Sequence, residues 1–287
     1  TPGNKTLFSK SVARTLLAKI YAEKPLRDYT KVIQYCDEVK EDGFDLVDDF
    51  SDLFGMNAAG TDAKMRNTKE SILEAQFTSG AGNWCTWMFG RDLVNWNNNF
   101  TWAKWVTPSR DLISAFKQEG DEVRFKESIV YYDCNWSNYY PSDNYPFMYK
   151  CRSANSSIIK YRYADVLLLK AEALIMQDTP DLEGAADIID EVRDRAKLGA
   201  LPTSVRSNKN VLLNALLKER RLELAFEGQR WFDLVRLDKV EEVMNAVYAK
   251  DSGRKAQIYT FDKNSYRLPI PQSVIDANDK IHQNPGY

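Results

Sequence analysis

Five of the chain's seven tryptophans fall between residues 84 and 105: Trp84, Trp87, Trp96, Trp102 and Trp105. A sixth, Trp136, lies in a tract crowded with Tyr131, Tyr132, Tyr139, Tyr140, Tyr145 and Tyr149. Core tryptophans usually sit among aliphatic residues. These sit beside Asn83, Asn95, Asn97, Asn98 and Asn99. A flat aromatic face next to amide donors and acceptors suits a sugar, whose ring has an apolar C–H face and a polar rim. The same mixture also suits a wet, amphipathic interface with another protein. Trp96, Trp102 and Trp136 are the expected stacking platforms. Asn95, Asn97 and Tyr139 are the expected polar rim, and Trp84, Trp87 and Tyr140 complete the candidate ligand set. Loops rich in Tyr and Ser, such as 131–149, make adaptable recognition surfaces at low entropic cost. By analogy with bases on aromatic rings, each platform supplies on the order of 1–3 kcal/mol. Two of them with a few hydrogen bonds give micromolar-to-millimolar capture.

Other chemistries find little support. His282 is the only histidine, and it lies in the carboxyl-terminal tail, so a Ser–His or Cys–His nucleophile system would have to use it. No GxSxG, HExxH or phosphate-cradling glycine loop occurs. A carboxylate pair of the glycosidase kind would draw on Asp92, Asp111 and Asp133, the acids nearest the aromatic tract. An α-toroidal glycoside hydrolase is therefore the alternative reading. Cys36, Cys85, Cys134 and Cys151 form no CxxC pair, which argues against zinc. Cys36 reads as a buried helix residue, whereas disulfide pairing among the other three stays open. Asp45, Asp48 and Asp49 offer oxygen ligands but lack an EF-hand pattern. No metal or cofactor is expected. The net charge is −2 with both signs interspersed. Even the most basic run, Lys218, Arg220 and Arg221, alternates with Glu219 and Glu223, so no nucleic-acid face is indicated. No apolar run approaches the roughly 20 residues of a transmembrane helix.

These aromatic residues need a scaffold. Residues 9–22 and 28–42 read as a helical hairpin, with Val12, Leu16, Leu17, Ile20 and Tyr21 facing Val32, Ile33, Cys36 and Val39. Pro25 punctuates its turn and Gly43 stops it. A second hairpin spans 162–197 and a third 208–249, the last with arms of 208–227 and 230–249. Small residues recur where helices must approach closely: Ala18, Ala171, Ala173, Ala185 and Ala186. The spacing resembles degenerate, non-contiguous tetratricopeptide repeats. Phe50, Leu53 and Phe54 are expected to pack on the first hairpin. "ILEAQF" (72–77) reads as a strand, and 108–118 as a helix capped by Thr107, with "GDEVRF" ending it. Arg162, Asp165 and Glu172 are expected to bridge neighbouring helices. Arg230, Asp233 and Arg236 can pair along one face, with Trp231, Phe232 and Leu234 packed. The expectation is one all-α domain over 1–287, with hairpins at about 9–43, 162–197 and 208–249. A long irregular, aromatic-rich insertion at about 78–155 forms the binding lobe.

Several strings carry a resemblance. "YRYADVLLLKAEALI" (161–175), "LLKERRLELAFEGQRWFDLVRL" (216–237) and the ending "YRLPIPQSVIDANDKIHQNPGY" (266–287) resemble the SusD/RagB family of Bacteroidota outer-membrane lipoproteins. Upstream, "ARTLLAKIYAE" and "GFDLVDDFSDLF" resemble its first complete helical hairpin. "PSRDLISAFKQEGDEVRF" resembles its "P…LvdaF…gDpR" segment, with Asp121, Glu122, Val123 and Arg124 where the family has Asp-Pro-Arg. The resemblance implies a tetratricopeptide-like scaffold with an irregular binding lobe and no enzymatic activity. It implies capture of nutrient, usually a glycan and in some relatives peptide, at the cell surface. It also implies delivery to a TonB-dependent β-barrel transporter (SusC-like), and an outward-facing place on the outer membrane. The family's lipidated cysteine and amino-terminal helices are not in this chain.

Overall fold

The computed structural model describes residues 3–78, 82–83, 106–135, 137–250 and 260–287. The chain forms two compact units, Thr1–Gln229 and Arg230–Tyr287.

The first unit is built on helical hairpins. Helix α1 (Lys10–Ala22) is capped by Ser9, whose hydroxyl accepts from the Val12 amide. Asp28 caps α2 (Tyr29–Glu41) in the same way, accepting from Lys31. Gly43, at φ +87°, turns the chain out of the hairpin. A short α3 (Ser51–Phe54) and strand β1 (Ser71–Ala75) follow. Helices α4 (Arg110–Glu119) and α5 (Glu122–Ser128) lead into β2 (Ile129–Tyr132) and β3 (Tyr145–Met148), an antiparallel pair. Strand β4 (Ile158–Arg162) pairs with β1 across a bulged register. Then come α6 (Tyr163–Met176), α7 (Leu182–Arg195), α8 (Thr203–Arg206) and α9 (Lys209–Glu223). Asp181 caps α7 and Asn208 caps α9.

The main core lies between α1, α2, α6, α7 and α9. Ala18, Ala171, Ala173, Ala185 and Ala186 are fully buried there, as close helix approach requires. Several local expectations shift. Leu16 is 45% exposed, and Thr15 takes a buried place on α1 instead. Phe50, Leu53 and Phe54 form their own cluster with Val47, Val123 and Ile159 rather than joining the first hairpin. Ser109, not Thr107, caps α4 by accepting from the Leu112 amide. "GDEVRF" does end α4, through Gly120 at φ +71°, and Asp121 then caps the new helix α5.

Charged side chains fasten these helices. Asp165 accepts from Lys19 and Arg220, both at 2.7 Å, joining α1, α6 and α9. Burial alone would raise its carboxyl, but Lys19 and Arg220 hold it far below the usual carboxylate range. A carboxyl depressed in the folded state contributes stability above its unfolded pKa. That contribution is lost as pH falls through the folded value. The stability gap between wild type and Asp165→Asn is therefore expected to narrow as pH drops below about 4. Urea denaturation from neutral to acid pH measures this, and a gap constant with pH would remove the carboxylate charge from the explanation.

The second unit holds α10 (Arg230–Arg236), α11 (Val240–Lys250) and α12 (Gln272–Asp276). The expected single helix over 230–249 is thus two, broken where Asp238 adopts φ +56°. Asp233 and Arg236 pair at 2.8 Å and Leu234 is buried, whereas Phe232 is 63% exposed. Trp231 meets the Phe261 ring edge-on at 6.4 Å. The two ends of the carboxyl-terminal motif hold each other. Gln283 brackets both the amide and the carbonyl of Ile270, at 2.8 and 2.9 Å. The Asn284 amide donates to the Leu268 carbonyl at 2.6 Å.

Candidate functional site

The tyrosine tract runs through the β2–β3 hairpin and its loop, and the strands alternate their side chains across it. Tyr131 and Tyr132 are consecutive on β2, so they serve opposite faces. Tyr131 lines an open groove of about 460 Å³ against α4, together with Arg110, Lys117 and Tyr140. Tyr132 lines a separate groove of about 460 Å³ with Tyr149, Arg152 and Lys64. The loop borders a third, open groove of about 650 Å³, walled by Asn135, Ser137, Asn138, Tyr139, Tyr140 and Ser142. The first and third share Tyr140 and Pro141.

The shared wall is fixed by an aromatic–cation stack. Arg110 extends from the first turn of α4, which Ser109 caps. Its guanidinium lies 4.1 Å from the Tyr139 ring centre and 4.5 Å from that of Tyr140. It also donates to the Tyr139 carbonyl. The two rings meet edge-to-face at 5.0 Å and 88°. The Tyr140 hydroxyl donates to the Pro108 carbonyl at 2.7 Å, tying the loop to the start of α4. Beneath them lies the buried Tyr145, whose hydroxyl meets Thr107 at 3.2 Å and Ser137 at 3.1 Å. The Cys134 amide donates to the Ser142 carbonyl at 2.6 Å and closes the loop's base. Tyr139 and Tyr140 are half-buried, while Asn135, Asn138 and Ser142 are exposed. The result is a rigid aromatic wall with amides and hydroxyls along its rim.

Of the residues expected to bind ligand, Tyr139 and Tyr140 stand together in this wall. Trp84, Trp87, Trp96, Trp102, Trp136, Asn95 and Asn97 lie outside the described residues. Sequence reasoning passed over Arg110 and Lys117, and named Tyr131 in the tract without choosing it as a ligand residue. Arg110 and Lys117 had a visible signal, since they lie on the helix whose start precedes the tract. Their neighbourhood with Tyr140 depends on tertiary contact. Among the acids weighed for hydrolysis, Asp92 is outside the described residues. Asp111 is ion-paired with Arg221 at 2.6 Å, and Asp133 is exposed and lines neither groove of the shared wall. Among the described residues no carboxylate lines either of those grooves. Cys36 and Cys134 are buried free thiols, Cys151 is buried and accepts from the Asn83 side-chain amide at 3.1 Å, and Cys85 is outside the described residues. Asp45 and Asp48 pair with Lys69, and Asp49 pairs with Lys64.

Residues 140–287 match the model of the SusD family (SusD_RagB). SusD-like protein P38 of Formosa agariphila is 43% identical over 99 residues, which cover 32% of this chain and 19% of that protein. SusD-like protein P2 of the same organism is 36% identical over 143 residues, covering 47% of this chain and 27% of that protein. Surface glycan-binding protein A from Bacteroides thetaiotaomicron superposes with a TM-score of 0.73. That superposition spans 99% of this chain and 65% of that one at 19% identity, and establishes a shared fold. The chain thus spans under two thirds of the solved relative and a smaller part of each curated one.

Proposed function

Since the chain belongs to the SusD family, we propose that it is a cell-surface glycan-binding protein that captures oligosaccharide without cleaving it. The observation that carries this reading is the Arg110–Tyr139–Tyr140 stack beside a rim of Asn and Ser. Such a wall is held in place before ligand arrives, so binding orders few additional side chains. Its aromatic edges offer apolar contact, and its rim can exchange hydrogen bonds with sugar hydroxyls. The solved relative named above as a surface glycan-binding protein points the same way. In this reading the captured glycan passes to a TonB-dependent β-barrel transporter. The protein stands on the outward face of the outer membrane through a lipid anchor. Among the described residues no helix is long and apolar enough to cross a membrane.

Affinity electrophoresis through gels containing plant, host and microbial polysaccharides tests the reading. Each gel is then assayed for reducing-sugar release. Retardation without release is the expected result. Release alongside retardation would make the protein a hydrolase, and retardation by none of the polysaccharides would remove the glycan assignment.

A further inference from the structure

Building on the glycan-binding reading, we infer that the groove beside Tyr140 takes an acidic glycan, one bearing carboxylate or sulfate groups. The inference begins with a local imbalance in a chain of net charge −2. The groove between α4 and the tyrosine loop is lined by two cations, Arg110 and Lys117, and by no described carboxylate. The groove continuing past Tyr140 adds Asn, Ser and Tyr but no described charge of either sign. Among the described residues, a ligand running along this wall meets two cations and no carboxylate.

The described acids nearest to Lys117 along the chain and on the tract lie outside the groove or are engaged elsewhere. Asp111, next to Arg110, pairs with Arg221 at 2.6 Å. Glu119, two residues past Lys117, pairs with Arg193 at 2.7 Å and also with Lys218. Asp133 and Asp143 are exposed on the tract but line neither groove. Lys117 is exposed and has no ion pair among the described residues. The groove on the opposite face of the hairpin shows the contrast. There Lys64 has Asp49 at 2.9 Å and Asp52 at 2.7 Å, and Arg152 has Glu127 at 2.8 Å. The cations lining that groove are matched by acids; Lys117 is not.

Position favours an anionic sugar over a loose counter-ion. Arg110 is held by its stack on Tyr139 and Tyr140, so its charge sits at a fixed point beside the aromatic edges. Lys117 lies seven residues on, about two helical turns along α4, roughly 10 Å away by helical rise. That spacing is of the order of two sugar units, so alternating anionic residues can meet both cations. A planar guanidinium suits the oxygens of carboxylate or sulfate, and the lysine supplies a mobile point charge.

The test uses oligogalacturonate, a sulfated galacto-oligosaccharide and a neutral galacto-oligosaccharide of equal length, titrated calorimetrically at low and high salt. Acidic ligands are expected to bind in preference to the neutral one. Their affinity should weaken strongly between about 0.05 and 0.5 M salt, across which the Debye length shortens severalfold. Lys117→Glu should weaken acidic-ligand binding about fivefold or more. Lys126→Glu, the same charge change at an exposed site on α5 outside these grooves, should not. Circular dichroism confirms that each variant is folded. Preference for uronate or for sulfate each supports the inference and identifies the anion. Neutral-ligand preference without salt dependence, or an inert Lys117→Glu, overturns it and leaves glycan capture standing. If none of the three binds while a neutral polysaccharide retards the protein in gels, the inference falls and glycan capture stands; if no polysaccharide retards it either, both fall.

Discussion

Glu223→Ala is expected to destabilise the first unit by about 3–5 kcal/mol, the cost of removing one partner from a buried ion network. Glu223 is fully buried at the end of α9. One carboxylate oxygen accepts from Arg162 at 2.5 Å and from Arg195; the other accepts from Arg124 at 3.0 Å. Glu70 takes second bonds from Arg162 and Arg195, at 2.7 and 2.9 Å. Glu219 and Asp121 take further bonds from Arg124, each at 2.5 Å. Burial alone would raise the Glu223 carboxyl, but Arg195, Arg162 and Arg124 hold it well below the usual carboxylate range. Its removal leaves three desolvated guanidinium groups short of charge. Glu223→Gln keeps the shape and should retain most of the loss, because charge rather than volume is what disappears. Lys64→Ala, by contrast, removes exposed ion pairs and should cost about 1 kcal/mol or less. Urea denaturation midpoints and slopes measure all three. A Glu223→Ala loss no larger than that of Lys64→Ala would show that the network does not centre on Glu223.

That network also marks where sequence reasoning stops. Apolar periodicity placed α1, α2, α6 and α7 to within two residues or so, because each has one face turned to a common core. Interspersed charges in "KERRLE" argued against a nucleic-acid face but did not say which way each side chain turns. The helix sends Glu219, Arg220 and Glu223 inward and leaves Lys218 exposed. Their partners are Arg124, Asp165, Arg162 and Arg195, 28 to 99 residues distant, so no local pattern reveals them. Leu16 failed for the opposite reason. Its type fits a core, but Val12, Thr15 and Ala18 occupy the buried stripe of α1. For the site, composition alone singled out Tyr139 and Tyr140. The cations beside them come from a helix about 20 to 30 residues earlier, placed there by the Ser109 cap and the Tyr140–Pro108 hydrogen bond. Aromatic enrichment is a compositional signal. Charge placement around it is a tertiary one.

Tyr139→Ala is expected to weaken binding of the captured polysaccharide by roughly 5- to 150-fold, the equivalent of about 1–3 kcal/mol for one stacking platform. Two losses combine. The ligand loses a half-buried ring, and Arg110 loses one of the two rings that fix its guanidinium. Tyr140→Phe separates these contributions. It keeps the edge-to-face contact and the second ring under Arg110, and removes the hydroxyl that donates to the Pro108 carbonyl. Its effect should be well below that of Tyr139→Ala. If Arg110 acts mainly through its charge, Tyr139→Ala will cut affinity for acidic ligands more than for neutral ones. If the ring acts mainly by contact, both classes will weaken alike. The measurement is a titration series with the polysaccharide that retards the wild-type protein, on variants whose melting temperatures show an intact fold. Unchanged affinity in Tyr139→Ala would move the binding surface away from this wall. The tryptophans between residues 84 and 105 would then be the groups to replace.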